Sequence, residues 1–213
     1  TSGFNKKLMK SFSEKILEKI PETTSIVNTI NAKKNNTAKG HTKTIHGQSF
    51  IHERIGNYKF KISANSFFQT NSYQVKKLYD YIIKAADFDK NDIVYDLYCG
   101  TGTIAIYISS FVKKIYGIEL IEEAIEDAKI NAKINNVSNT HFYTCDLKEF
   151  FDNNNEDIEK PNTIIIDPPR PGLHPYVVEN IIDLSPSKIV YVSCNPSTQA
   201  RDVKLLNENS YSV

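Results

Sequence analysis

Cys194 stands in Ser193-Cys194-Asn195-Pro196, between an apolar run that reads as a strand and a stretch that reads as a helix starting near Pro196. A cysteine in that position feels the positive end of the helix dipole, which favours the thiolate and makes a nucleophile. Taken alone, such a cysteine is more often buried packing. The neighbouring acid tips the balance: Asp167 opens Asp167-Pro168-Pro169-Arg170-Pro171-Gly172 at the end of another apolar run. Two prolines after a carboxylate remove backbone donors and stiffen the loop, so the side chain is held at a cleft. A strand terminator has no need of an acid, prolines, an arginine and a glycine in six positions. Arg170 is one of three arginines against 23 lysines, and its planar fork suits phosphate.

An earlier run closes on Asp96-Leu97-Tyr98-Cys99-Gly100-Thr101-Gly102-Thr103. Gly100 and Gly102 straddle a turn into a helix, so the backbone can approach a ligand whose negative groups meet free N–H groups. A lone G-x-G says little. Here Glu119 follows Gly102 by 17 residues at the end of the next run, where a carboxylate accepts ribose hydroxyls. Ile104 and Ala105 replace the third glycine of the dinucleotide fingerprint, which favours a mononucleoside-like ligand over NAD. Asp146, after a third run, either meets an adenine amino group or caps the helix beginning Leu147-Lys148-Glu149.

These residues need elements to hold them. Residues 92–98, 113–120, 140–145, 162–167 and 188–194 are apolar, β-branched strand candidates separated by helical stretches, the first helix being 72–86. Such alternation predicts an α/β fold with a doubly wound parallel sheet, and ligands of such sheets bind at the carboxyl ends of the strands. Residues 1–61 read differently: a helix over 4–20 stopped by Pro21, a strand over 24–31, an exposed polar loop over 31–40, and a hairpin turning at Ile55-Gly56-Asn57. The chain thus divides into a small α+β piece, 1–61, and a domain, 62–213, that carries the motifs.

Charge divides in the same way. The 213 residues carry a formal net charge of +1, but residues 1–61 hold 12 Lys and Arg against four acids, net +8, leaving 14 against 21, net −7. A basic arm on an acidic body suggests a polyanionic partner held by the arm, with Lys33, Lys34, Lys39 and Lys43 as phosphate-tracking candidates. No apolar run approaches the ~20 residues of a spanning helix, so no membrane partner is expected. Three cysteines without C-x-x-C spacing read as free thiols in a cytoplasmic protein without a metal cluster, and His41, His46 and His52 lack acids at metal-ligand spacing.

The four segments Phe67-Phe68-Gln69-Thr70-Asn71, Asp96 to Gly102, Asp167 to Gly172 and Ser193 to Pro196 resemble those of the RNA uracil-C5 methyltransferases, which make 5-methyluridine in 23S rRNA and tRNA. The likeness runs from about Thr24 to the end. It implies a Rossmann-like class I methyltransferase fold and S-adenosyl-L-methionine as methyl donor. Position by position it implies donor contacts from Gln69, Tyr98, Glu119 and Asp167, with Thr103 and Asp146 beside them, and Cys194 as the nucleophile. It also implies that Asp167 orients both uracil edge and donor. Arg170, with its phosphate-suited fork, is expected to bind the RNA substrate; rRNA is expected before tRNA as the partner, and a monomer as the state. Members carry a general-base glutamate downstream of the helix that follows Cys194. This chain stops at Tyr211-Ser212-Val213 and lacks an initiator Met, so the expectation is a fragment, impaired in turnover and stalling before elimination. Two other functions compete: an exocyclic-amino methyltransferase, in which Cys194 has no task, and a non-catalytic module that binds RNA and the cofactor. Cys99 and Cys145 read as packing residues, His174 as a helix cap, and Glu122, Glu123, Glu126 and Asp127 as a solvated helix face.

Overall fold

Asn5, Pro21 and the polar residues between apolar ones set the first helix before any tertiary contact is made. The structure is a computed structural model that describes residues 4–31, 40–153, 158–209 and 211–212. In it α1 (Lys6–Lys19) is capped by the Asn5 side chain, which accepts from Leu8 N at 3.0 Å. β1 (Ser25–Ile30) pairs antiparallel with β2 (His41–Gly47). β2 was not expected from His-Thr-Lys-Thr-Ile-His-Gly, which has no clear apolar alternation; its strand form comes from pairing rather than intrinsic preference. β3 (Phe50–Ile55) and β4 (Tyr58–Ser63) form the expected hairpin, with Gly56 at φ 58° in the turn. The polar loop and its Lys33, Lys34 and Lys39 lie outside the described residues.

The rest alternates as the apolar runs require. α2 (Ser72–Ala86) leads into β5 (Ile93–Leu97), α3 (Thr103–Ile108), β6 (Lys114–Glu119), α4 (Glu122–Ile134), β7 (Thr140–Thr144) and α5 (Leu147–Asp152). β8 (Thr163–Ile166), α6 (Pro175–Leu184), β9 (Lys188–Tyr191) and α7 (Pro196–Asn207) complete the order. The five strands form one parallel sheet in the order β7-β6-β5-β8-β9. Alternate side chains of β5 enter opposite cores: Val94 packs with Ile104, Ile115 and Tyr79 on one face, Leu97 with Ile118, Ile166 and Val178 on the other. Ile164, Ile165 and Ile166 are wholly buried, each stabilising by roughly 1.5–3 kcal/mol relative to exposure. Among the described residues no helix is long and apolar enough to cross a membrane.

β5 is the switch point, because the chain winds outward from it first to β6 and β7 and then to β8 and β9. In doubly wound sheets the ligand crevice lies where the loops on either side of the switch point part in opposite directions, here the loops after β5 and β8. The residues singled out in the sequence end these strands.

The α+β piece is joined to the sheet by a polar seam. The division between residues 61 and 62 falls inside β4, whose free edge lies along α4. Asn131 accepts from Lys61 N at 2.6 Å and donates to Lys61 O at 3.1 Å; Asn135 does the same with Lys59 at 2.9 and 2.8 Å. Residues four apart on a helix rise about 6 Å and residues two apart on a strand about 6.7 Å, so one helix face can act as neighbour to an open strand edge. Asp127 continues this row and is fully buried, accepting from Lys61 Nζ at 2.5 Å and Ser63 N at 2.8 Å. The solvated face expected for this helix holds for Glu122 and Glu126 but not for Asp127, because α4 turns the Asp127-Asn131-Asn135 row inward onto β4.

Candidate functional site

The loop after β5 is built from backbone conformations that side chains rarely adopt. Tyr98, Gly100 and Gly102 have φ of 65°, 54° and 74°, an alternation that tightens the turn into α3. Gly102 is required twice over, since a Cβ there would also stand 2.7 Å from the Phe142 ring and 3.0 Å from Ala128. Tyr98 has no such excuse, and a non-glycine residue held at positive φ marks a place where surroundings override local preference. Burial pushes its phenol up to about 12.

Asp96 closes β5 beneath this loop, wholly buried. One carboxyl oxygen accepts from Ala105 N at 3.1 Å, fixing the first turn of α3, while the other has no partner. Burial first, and then the charge of Asp167, raise its carboxyl to about 8. An unsatisfied buried oxygen facing a second carboxyl is costly unless something polar or cationic completes the site. Glu119, at the end of β6, crosses the strand gap to accept from Gly100 N at 3.3 Å, and its other oxygen accepts from Ile121 N at 2.9 Å. Its carboxylate therefore lies against the glycine loop. Thr103, the first residue of α3, shares a 2.7 Å hydrogen bond with the buried Tyr79 of α2. Asp146 is exposed and caps α5 through a 2.8 Å bond from Lys148 N. Capping takes one of its oxygens, and its charge still reaches the Tyr98 phenol.

Asp167 follows β8 on the next strand. Burial raises its carboxyl to about 6, opposed by a hydrogen bond from the Gln69 side chain. Gln69 lies in the segment between β4 and α2. β9 lies beside β8 with Tyr191 opposite Ile166, so Asp167 and the Cys194 loop leave neighbouring strands at the same end. Side chains stitch the two loops together: Asn195 Nδ2 and Thr198 Oγ1 donate to Arg170 O at 3.1 and 3.2 Å, and Arg201 Nη2 donates to Pro171 O at 3.0 Å. Gly172, at φ 80°, lets α7 approach, since a Cβ would stand 2.6 Å from Asp202. Cys194 is exposed one residue before the Asn195 cap of α7, and Arg170 is exposed beside it in the stitched loops.

The structure thus brings Gln69, Tyr98, Gly100, Gly102, Thr103, Glu119 and Asp167 to one crevice, with Asp146 at its rim and Cys194 and Arg170 at its β9 side. Sequence reasoning left out Asp96, Tyr79, Arg201 and Asp202. Asp96 was visible as the first letter of its motif, and Arg201 as a rare arginine; Tyr79 and Asp202 sit in ordinary helical patterns and carried no signal. His174 caps α6 as expected, accepting from Tyr176 N at 3.2 Å. Among the described residues no cluster of His, Cys, Asp or Glu could hold a metal ion. The crevice gathers carboxyl groups, an orphaned buried oxygen and a cradle without Cβ atoms, which fits a nucleoside bearing hydroxyls and a positive charge.

Residues 8–211 match the family model described as tRNA (uracil-5-)-methyltransferase. The chain is 43% identical to an uncharacterized RNA methyltransferase of Chlorobaculum tepidum, over 99% of its own length and 44% of the relative's. It is 42% identical to another from Bacillus cereus, over 95% of this chain and 44% of that one. It therefore spans about half the length of the curated relatives it matches. Among solved structures it is similar to the Pyrococcus abyssi tRNA (uracil-54, C5)-methyltransferase in complex with S-adenosyl-L-homocysteine, with TM-score 0.73 and 37% identity over 89% of this chain and 46% of that one. The five-stranded parallel sheet is the Rossmann-like methyltransferase fold of that neighbour.

Proposed function

The chain belongs to the tRNA (uracil-5-)-methyltransferase family, and on that premise we propose that it methylates C5 of a uracil in RNA through a covalent adduct between Cys194 and C6. One observation carries the reading: the nucleophile's loop and the Asp167 loop leave adjacent parallel strands at the same end and are bonded to each other there.

S-adenosyl-L-methionine is the donor in this reading and, when bound, supplies an electrophilic methyl group for C5. Glu119 would hold the ribose hydroxyls, Tyr98 and Asp146 the adenosine, and Gly100, Gly102 and Thr103 the close backbone wall. Gln69 and Asp167 would face the charged end. Uracil C5 is a poor nucleophile, so the chain's own contribution is to make it a better one. The Cys194 thiolate forms a bond to C6, the ring's electrons move towards O4, and the resulting enolate is nucleophilic at C5. After C5 is methylated a base removes the C5 proton, its electron pair restores the ring double bond, and the sulfur leaves. Asp167 orients the uracil edge, and Arg170 takes an RNA phosphate. The basic residues of 1–61 hold the RNA backbone, while residues 62–213 carry the donor and the chemistry. 23S rRNA is the expected target and tRNA the alternative.

RNA containing 5-fluorouridine tests the adduct, because fluorine at C5 leaves no proton to remove and traps the complex. Denaturing gels should show a band of protein plus RNA for the wild type and none for Cys194→Ala. A band of equal strength from Cys194→Ala sinks the assignment. Running 23S rRNA fragments beside tRNA transcripts distinguishes the two targets.

A further inference from the structure

Asp127 holds more than the α4 seam requires. Its Oδ1 accepts from Lys61 Nζ at 2.5 Å and Ser63 Oγ at 2.9 Å, and its Oδ2 from Ser63 N at 2.8 Å and Ser66 Oγ at 2.9 Å. Lys61 and Ser63 already compensate the buried carboxylate. The bond from Ser66 fixes something else, the segment that leaves β4. Ser66 N donates to Ser63 O at 3.1 Å, so the hydroxyl and the turn lock together. Three residues on is Gln69, whose side-chain amide is near enough to Asp167 to oppose the rise of its carboxyl. Between them Phe67 O passes 4.0 Å from the point a Cβ of Gly100 would occupy, so the segment runs over the glycine loop. The next residue of the same helix row acts on that loop from below: Asn131 Nδ2 donates to Thr101 O at 3.2 Å as well as to Lys61 O.

We propose that Asp127 is a positioning residue for the methyl donor, acting through Ser66 to present Gln69 at Asp167 while Asn131, one turn on, sets the facing glycine loop. One helix face then holds both walls of the crevice at a fixed separation. This rests on the reading of Gln69 as a donor contact. Burial and pairing of Asp127 alone would serve the seam without Ser66, so Ser66 is where a positioning role and a structural one part.

The test is a double-mutant cycle on Ser66 and Gln69, read as the dissociation constant of S-adenosylhomocysteine by titration calorimetry on the full-length protein. The expected result is about tenfold weaker binding for Gln69→Ala and about fivefold for Ser66→Ala, with Ser66→Thr within about twofold of wild type because it keeps the hydroxyl. The double variant should bind no more weakly than Gln69→Ala alone, since a residue acting through another adds nothing once that other is gone. Melting temperatures should stay within about 3 °C of wild type throughout, the scale of a single part-buried hydrogen bond in a protein of this size. Multiplicative effects in the double variant overturn the proposal and leave the donor reading of Gln69 standing. Unchanged binding in Gln69→Ala overturns that donor reading itself, and with it any action through Gln69. Weakening in Ser66→Ala that tracks a fall in melting temperature and is not rescued by threonine assigns Ser66 to structure alone.

Discussion

The two sides of the crevice are held by opposite means. On the β5 side the chain is bent through three positive φ angles over a wholly buried Asp96, and shape there is set by backbone geometry and by close packing of Gly102 against Phe142. On the β9 side the loops around Arg170 and Cys194 are exposed, and shape is set by side chains reaching loop carbonyls: Asn195, Thr198 and Arg201 each donate to one. A wall that must press against a nucleoside can be rigid and dry. The nucleophile proposed for Cys194 must meet a base drawn from RNA, so it has to be reachable, and hydrogen bonds to carbonyls position it without burying it.

The largest effect that would break this comparison is Asp202→Ala. Asp202 is buried, and Leu173 N, the Tyr191 hydroxyl and Arg201 Nε all donate to it at 2.7–2.8 Å. Its loss leaves a buried N–H and a hydroxyl unsatisfied and frees Arg201, which also ties Pro171 O and Leu173 O. Urea unfolding should show a loss of about 3–5 kcal/mol. A loss below about 1 kcal/mol would mean that the β9 side is not held by this hub.

Gly102→Ala attacks the other side. Positive φ and a Cβ at 2.7 Å from an aromatic ring together should cost about 3 kcal/mol, with donor affinity falling alongside stability because the strained turn is the binding wall. If stability falls and titration shows unchanged affinity for S-adenosylhomocysteine, the glycine loop is not that wall.

A smaller effect depends on pH. The Asp96 carboxyl is raised to about 8 and that of Asp167 to about 6, both above the ordinary value of 3.8. A raised carboxyl favours its protonated form in the fold, so its contribution is fully present below pH 3.8 and is lost as pH rises through the folded pKa values. Between about pH 6 and 8 the loss belongs to Asp96. Asp96→Asn keeps an acceptor for Ala105 N and cannot ionise; relative to it the wild type should lose about 2.7 kcal/mol between pH 6 and pH 8. Parallel stability profiles for the two proteins from pH 5 to pH 9 would falsify the assignment.

What could be read from the residues divides along the same line. The parallel sheet was legible because Ile164-Ile165-Ile166 and Ile93-Val94-Tyr95 have no polar alternation, and the strand ends were legible because glycines, prolines and acids collect there. The pairing of β2 was not, since a strand made by its neighbour leaves little mark on its own sequence. Nor was the seam. Asp127 among Glu122, Glu123 and Glu126 looks like surface, and only the coincidence of a helical row with an alternate-residue strand edge reveals it as interior. Tyr79 was hidden for a similar reason: its hydroxyl meets Thr103 across two elements 24 residues apart. Motifs report local chemistry; the residues that hold motifs at the right separation are spread over helices whose patterns only say that they are amphipathic.

Thr198→Ala gives the smallest expected effect and the sharpest test of how the exposed side works. Thr198 Oγ1 stands 3.2 Å from Arg170 O and 3.1 Å from Asn195 O, so it links the nucleophile's loop to the Asp167 loop at the surface. Water can replace a hydroxyl there, so stability should fall by no more than about 1 kcal/mol. Adduct formation with 5-fluorouridine RNA should slow by more than that figure implies, because next to Cys194 only Asn195 then reaches Arg170 O, Arg201 holding the loop farther on at Pro171 O, and the thiol samples positions away from C6. Thr198→Ser, which keeps the hydroxyl, should restore the rate. Slowing no greater than about fivefold in Thr198→Ala would mean that Asn195 and Arg201 suffice, and that the exposed side is as rigid as the buried one despite lacking its packing.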